Sequence, residues 1–294
     1  MFASARHWLY EARAFTPSET NVAKKTRSKK KPAITAKNAD KHVLYQLSVQ
    51  DAKVEVDFID YVYRSIYRRR PTTLLEDFCG SALICSEWVN RDESRTATGV
   101  DIDSKVLAWG KRHNVAPLGD ASDRVDLLRQ DVRDPVRSKF DVICAFNFSY
   151  WVFRTRDEIR AYFAHVRKLL GKDSFFVLDA YGGWESQQPM EERRRIKGGF
   201  TYVWDQNQFD PITHEVVNYI HFEFKNGSKL QKAFSYHWRF WTLPELQELL
   251  SEAGFSDVNV YWDCSKGEDD DELFRPRLRA KNQPGWLAYI VARR

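Results

Sequence analysis

The chain has 294 residues, 43% of them hydrophobic and 30% charged, with a formal charge of +5. That length suits one large α/β domain with an insertion, or two small domains, and the composition is that of a globular protein. No apolar run approaches the roughly 20 residues needed to span a bilayer, so no membrane-spanning role is expected.

The charge is unevenly spread. Residues 1–41 hold ten Lys or Arg against Glu11, Glu19 and Asp40, a local +7 that leaves −2 for the other 253 residues. A domain that grips a phosphate backbone is usually basic itself. Here the basic character belongs to the first 41 residues, whose KKTRSKKK run lacks a hydrophobic period and reads as a disordered tail. The first thirteen residues are too polar for a secretory signal; a weak organelle-targeting helix is the alternative, which Glu11 opposes. Cys79, Cys85, Cys144 and Cys264 are scattered, without paired spacing or a His partner for zinc. No metal site is expected, and the setting expected is a reducing one, the cytoplasm, with an organelle matrix as the alternative.

Order is expected from about Asp40. Phe58, Ile59, Val62 and Ile66 recur at helical spacing, and Pro71 closes that segment. Strand-like runs follow at 74–78, 97–101, 125–129, 140–146, 174–180, 258–262 and 286–292. Helical patterns around 82–91, 104–113 and 156–170 separate the first five, which predicts βαβ units and a parallel sheet. Residues 184–241 break the rhythm with aromatic and β-branched residues. Asn226-Gly227 there predicts a hairpin with a two-residue type I′ turn. In that register Glu223 opposes Leu230, Val216 opposes His237 and His214 opposes Arg239. Val217, Tyr219, Phe234, Tyr236, Trp238 and Phe240 then share the core face. Thr242 and Glu245 form a capping box for a helix with a buried stripe of Leu246, Leu249, Leu250 and Ala253, stopped by Gly254. The organisation expected is a tail over 1–41, an α/β core over 42–183, an inserted antiparallel segment over 184–241, and a return to the core over 242–294.

Four features stand in order along the core. Residues 74–82 form an apolar strand running into a small-residue turn and a helix, carrying Glu76, Phe78, Cys79, Gly80 and Ala82. Such a turn lets a ligand approach backbone N–H groups. Asp101 and Ile102 end the next strand, where an acidic residue accepts hydrogen bonds from ribose hydroxyls. Asp131 and Val132 follow the third strand, where a carboxylate can accept from an adenine amino group. The fourth strand ends in Asn147, Phe148, Ser149 and Tyr150. Ligands of open α/β sheets sit beyond the carboxyl ends of the strands, so the four converge on one crevice. Each residue also has a plain structural use: Glu76 as a strand-end cap, Asp101 and Asp131 as turn formers or helix caps, Asn147 as a loop residue. Their joint order and spacing favour the ligand.

With these motifs the sequence resembles the class I S-adenosylmethionine-dependent methyltransferases, strongly over about residues 45–183 and by architecture over 242–293. The resemblance implies a Rossmann-like seven-stranded sheet of order 3-2-1-4-5-7-6 with its last strand antiparallel, here with an inserted antiparallel β-hairpin subdomain. It implies S-adenosylmethionine as cofactor, touched by Glu76, Gly80, Asp101 and Asp131. Phe78 and Ala82 stand where the family usually has glycines; a bacterial branch with an E-D-F-C-G first motif looks similar.

Methyl transfer from a sulfonium is an in-line displacement. It needs the nucleophile held near ~3 Å, water excluded and sometimes a proton removed, but no covalent nucleophile. Asn147 to Tyr150 is loosely similar to the Asn-Pro-Pro-Tyr signature of amide- and base-directed methyltransferases, without its prolines. The plainer reading has Asn147 and Ser149 lining the methionine end, with Tyr150 and Trp151 walling the acceptor. His214, His237 and Arg239 share one face of the hairpin and form a candidate acceptor-binding cluster in which one histidine takes a proton. A cross-strand polar pair without a catalytic part is the equal alternative. Tyr45 and Gln50 are candidates to close over the cofactor, burial of Tyr45 in the core being the alternative. The acceptor expected is a small molecule with a nitrogen or oxygen nucleophile. Methylation of RNA or a ribosomal particle, anchored by the basic tail, is a second reading; a methyltransferase-like scaffold without turnover is a third.

Overall fold

The computed structural model describes residues 33–265 and 273–294. The KKTRSKKK run and the first thirteen residues lie outside the described residues.

Two helices open the described chain. α1 (Lys41–Val49) is capped by Asp40: Oδ1 accepts the His42 N–H at 2.8 Å, and Oδ2 accepts Trp109 Nε1–H at 2.7 Å. α2 (Ala52–Tyr67) buries Val56, Ile59 and Val62 on one face and ends at Arg68, left-handed at φ 59°. Then β1 (Thr73–Asp77), α3 (Leu83–Asn90), β2 (Thr96–Asp101), α4 (Ser104–Gly110), β3 (Val125–Arg129), β4 (Phe140–Ala145), α5 (Arg156–Leu169) and β5 (Leu170–Gly182) alternate. β1, β4 and β5 carry apolar stretches, with Leu74, Leu75, Val142, Ile143 and Val177 fully buried, as strands covered on both faces must be. After the insertion come α6 (Leu243–Glu252), β10 (Asp257–Asp263), β11 (Phe274–Pro276) and β12 (Trp286–Arg293). The α6 capping box forms as its sequence predicts, Thr242 and Glu245 exchanging side-chain-to-backbone bonds.

These strands make one eight-stranded sheet of order β11-β10-β12-β5-β4-β1-β2-β3. β1 to β5 are parallel, and β12 runs antiparallel to both β5 and β10. With β10 and β12 as sixth and seventh strands, this is the Rossmann-like order 3-2-1-4-5-7-6, and β11 is an added edge.

The insertion is larger than a hairpin. Residues 184–241 hold a four-stranded antiparallel sheet, β6 (Met190–Ile196), β7 (Phe200–Phe209), β8 (Glu215–Phe224) and β9 (Lys229–Arg239), paired in chain order. The expected two-residue turn is replaced by a three-residue loop. Gly227 N–H donates to the Phe224 carbonyl, Phe224 N–H donates to the Ser228 carbonyl, both at 2.9 Å, and Gly227 sits at φ 82°. A type I turn followed by a left-handed glycine gives this bulged loop. Glu223 therefore pairs with Lys229. Further on, a bulge at Lys232, whose N–H donates to His221 Nδ1, shifts the ladder again, so Val217 pairs with His237 and Glu215 with Arg239. The pairings expected for Glu223, Val216 and His214 are thus corrected. One residue of slip exchanges the faces: Val216, Asn218, Ile220 and Phe222 are buried, whereas Val217 and Tyr219 turn to the other side.

α1 joins the two sheets. Leu44 and Val49 pack with Phe200, Ile220 and Phe222 of the inserted sheet, while His42 lies 5.2 Å from the Trp109 ring of α4. Residues 33–40, read from sequence as the end of the tail, form a turn whose Ala36 N–H donates to Ser228 Oγ at 3.0 Å. No helix among the described residues is long and apolar enough to cross a membrane.

Gly110 at the end of α4 presses on the turn that follows β1: a Cβ there would stand 2.3 Å from the Ser81 carbonyl oxygen. Gly110→Ala is expected to lower stability by about 1–3 kcal/mol, the usual cost of overpacking against backbone. A urea titration checks this, with a lower midpoint and unchanged slope as the expected result; an unmoved midpoint would show that the turn is not pinned there.

Candidate active site

The turn after β1 has unusual backbone geometry. Phe78, Gly80 and Ala82 all lie in the left-handed region, at φ 56°, 53° and 55°. Only the glycine adopts it without strain, so tertiary bonds must hold the other two. Cys79 N–H donates to the Val100 carbonyl at 2.9 Å, extending the β1–β2 ladder, and Gly80 N–H donates to Asp101 Oδ2 at 2.8 Å. Asp101 Oδ1 accepts Asp103 N–H at 2.8 Å. From above, Gln46 of α1 donates to Ser81 Oγ and Asn114 donates to the Ser81 carbonyl, each at 2.8 Å. A Cβ built on Gly80 would meet nothing within 4 Å, so the turn presents an open floor. The Phe78 ring is directed elsewhere, 6.0 Å from Phe153 and 5.9 Å from Tyr162.

Three carboxylates surround this turn. Glu76 Oε2 accepts the Cys85 N–H at 3.0 Å and so caps α3, whose N-cap Ala82 has no side chain to do it. Asp77 accepts the Tyr162 hydroxyl at 2.7 Å. Burial, assisted by the charges of Asp101 and Asp77, pushes Glu76 up to about 7; burial likewise pushes Asp77 up to about 7 against the pull of Tyr162. Burial also raises Asp101 above the usual carboxylate range. Ile102, beside it, is 71% exposed, a large apolar side chain facing outward where the acids gather. Asp131 is held differently: Arg133 grips it with Nε at 2.9 Å and Nη2 at 2.7 Å, and that bond holds its carboxyl below the usual range. Val132 is buried beneath it.

The end of β4 carries the second turn. Asn147 and Phe148 are consecutive left-handed residues, both at φ 57°. Asp179 of β5 accepts both of their N–H groups, one on each oxygen, at 2.9 Å. Ser149 Oγ donates to the Phe146 carbonyl, and the fully buried Tyr150 donates to the Asp179 carbonyl at 2.8 Å.

Beside this turn opens a cleft of about 780 Å³, its mouth included. α1 supplies Tyr45, Ser48 and Val49; the strand ends supply Asn147, Phe148, Tyr181 and Trp286; the inserted sheet supplies Glu192, Arg194, Tyr202, Trp204, Tyr236 and Trp238. Eight of the fifteen lining residues are aromatic, which gives a planar or cyclic ligand surface to lie on.

The structure thus gathers Glu76, Phe78, Cys79, Gly80, Ala82 and Asp101 around one turn, with Ile102, Asp131 and Val132 at the ends of the next two strands. Asn147 and Tyr45 line the cleft. Gln50 caps α1 one turn beyond Gln46, its Oε1 buried without a hydrogen-bond partner among the described residues. Tyr150, His214, His237 and Arg239 are not among the cleft-lining residues. Tyr150 is sealed in the core, and His237 is exposed on the opposite face of the sheet. His214 precedes β8 in a left-handed conformation beside Phe209 and Phe240. Arg239 bonds Glu245 and the Arg154 carbonyl and stacks on Trp241 at 3.9 Å. Asp77, Gln46, Glu192 and Asp179 were not singled out by the sequence; of these only Asp77 carried a signal, lying next to Glu76 in the first motif.

Residues 77–178 match the family model described as a methyltransferase domain. An S-adenosylmethionine-dependent methyltransferase from Clostridium acetobutylicum superposes with a TM-score of 0.63 at 16% identity, covering 86% of this chain and 96% of that one. CalS10, an amino pentose methyltransferase from Micromonospora echinaspora solved with S-adenosylmethionine bound, gives 0.61 at 14% identity, covering 85% and 94%. The sugar N-methyltransferase KedS8 from Streptoalloteichus gives 0.59 at 15%, covering 94% and 100%. At these identities the likeness is one of fold. No curated protein matches the sequence.

The Glu76 carboxyl gives a testable pH dependence. Its ordinary value is 4.5 and its folded value about 7, so between those limits the folded protein keeps a proton that the unfolded chain has lost. Stability from this group is therefore full below pH 4.5 and falls as pH rises to 7. Glu76→Gln keeps an acceptor for Cys85 but cannot ionise. Between pH 4 and pH 8 the variant should gain about 3 kcal/mol on the wild type. Urea unfolding without ligand reads it; an equal difference at both pH values would show that burial does not hold the proton.

Proposed function

We propose that this methyltransferase, with S-adenosylmethionine as its cofactor, methylates a small molecule held in the aromatic cleft. The observation that carries the proposal is the place of that cleft: its wall includes Asn147 and Phe148 at the carboxyl end of β4, and α1 borders both it and the Gly80 turn. The inserted sheet walls one side of it, so an acceptor that enters lies against rings. Proteins of like fold are titled amino pentose and sugar methyltransferases, which agrees with a small acceptor.

The residues fit the cofactor. Glu76, Asp77 and Asp101 are buried acids with raised proton affinity, and a ligand with sulfonium and ammonium charges relieves their repulsion. Asp101 accepts from the ribose hydroxyls, and exposed Ile102 and buried Val132 give the adenine an apolar setting. Asp131, oriented by Arg133, accepts from the adenine amino group. The backbone of Cys79, Gly80 and Ala82 allows close approach, with Phe78 turned away onto Phe153. Glu76, Asn147, Ser149, Tyr45 and Gln50 bound the methionine end. S-adenosylmethionine, when bound, supplies an electrophilic methyl on sulfur. The chain's own part is to orient the acceptor toward it and exclude water. Tyr150, His214, His237 and Arg239 do not line the cleft, so the transfer is assigned to the cleft-lining residues instead. The free cysteines, three of them buried, suit a reducing, cytoplasmic setting.

Calorimetric titration with S-adenosylmethionine tests the cofactor site. The wild type should bind at micromolar Kd, and Asp101→Ala should weaken binding at least about tenfold, as loss of hydrogen bonds to a charged group does. Equal affinity in the two proteins would remove Asp101 from the site, and no binding by the wild type would overturn the reading.

A further inference from the structure

Resting on that reading, we propose that the methyl acceptor is an alkyl amine, bound as its ammonium by the Glu192 carboxylate and the rings around it. Among the described residues, Glu192 and Arg194 are the two charged side chains on the cleft wall. They stand two residues apart on β6 and so face the same way. Arg194 Nη2 donates to the Ser48 carbonyl, and its guanidinium lies 5.4 Å over the Tyr202 ring. Its charge thus ties α1 to the inserted sheet; among the described residues Glu192 supplies the carboxylate of the wall.

The neighbouring surface favours a cation. Tyr236 lies 4.3 Å from Trp238 and 6.0 Å from Trp204, their rings tilted by 33° and 41°. Tyr202 and Tyr45 complete that side. The faces of such rings attract a cation within about 6 Å and give an anion nothing. Ser48 Oγ, on the same wall and buried, has no hydrogen-bond partner among the described residues, which suits a ligand that brings N–H groups.

Proton balance separates an amine from a hydroxyl. Methylation forms a carbon–nitrogen bond with the nitrogen lone pair while the pair of the carbon–sulfur bond returns to sulfur. The ammonium first releases one proton, to Glu192 or to water at the mouth. The products are the N-methylammonium and a thioether, the positive charge having passed from sulfur to nitrogen. An alkyl hydroxyl is a far weaker acid than an ammonium and needs a strong base in the transition state. Among the described residues no histidine or lysine lines the cleft, and burial pushes the Tyr181 hydroxyl above its ordinary value. The same rings then hold the larger, more apolar product cation.

The test uses cyclohexylamine and cyclohexanol, two probes of one shape, titrated at pH 7 into the full-length protein saturated with S-adenosylhomocysteine. Quenching of the wall tryptophans reports occupancy. Cyclohexylamine should bind at least tenfold more tightly than cyclohexanol. In Glu192→Gln that preference should fall below threefold, while the Kd for S-adenosylhomocysteine, which reports the fold, stays within twofold. Cyclohexanol binding as tightly as the amine would overturn the amine and leave the small-molecule reading standing. A preference undiminished in Glu192→Gln would overturn the role of that carboxylate. Failure of both probes on a protein that binds S-adenosylhomocysteine would overturn the amine and the small-molecule reading together.

Discussion

The Asp101 carboxylate ties together the ends of β1 and β2, and the proposed cofactor crevice depends on it. One oxygen takes the Gly80 N–H and the other the Asp103 N–H; Asp103 in turn caps α4 through the Lys105 N–H at 2.8 Å. One side chain therefore fixes a turn with three left-handed residues and the start of the next helix. Burying this acid, Glu76 and Asp77 costs stability, and burial raises the proton affinity of all three. A strained, acid-rich turn at the carboxyl edge of a parallel sheet is a site prepared for a cation.

The proposed acceptor side repeats the device. At the ends of β4 and β5 the buried Asp179 accepts the N–H groups of Asn147 and Phe148, again holding a left-handed turn with both oxygens of one carboxylate. The two turns point the same way because both terminate parallel strands. α1 spans the region between them: Gln46 reaches Ser81 at one end, and Ser48 and Val49 line the cleft at the other. Packing of Leu44 and Val49 on the inserted sheet makes the cover of the cleft part of the fold rather than an appendage.

The central sheet was legible because strands buried on both faces are plain apolar runs, and because Glu76, Gly80, Asp101 and Asp131 each sit just past or at the end of one. The inserted sheet was read only in part. β6, residues 190–196, carries five consecutive charged side chains without an apolar stripe and gave no strand signal. Asn-Gly supports a positive φ at its glycine in a two-residue or a three-residue loop, and the bonds between Phe224, Gly227 and Ser228 decide for the second. The bulge at Lys232, set by His221, shifts the ladder again. From those local choices follow the partners and faces of β8, whereas His237 is turned from the cleft because Tyr236 and Trp238 on either side of it face in. α1 escaped notice because a short helix of weak amphipathicity is specified by its tertiary partners, Trp109 on one side and Phe222 on the other. Asp179 sits within the apolar run Phe175–Tyr181, where nothing local marks its role as the acceptor for a turn 31 residues earlier.

Hydrogen–deuterium exchange with and without S-adenosylmethionine tests the central claim most directly, because it reports where the ligand sits without reference to any acceptor. The account predicts slowed exchange in residues 78–82 and 101–103 together, with α1 slowed to a lesser degree and the outer strands β6 and β7 unchanged. Binding that left residues 78–82 and 101–103 exchanging as before would contradict it.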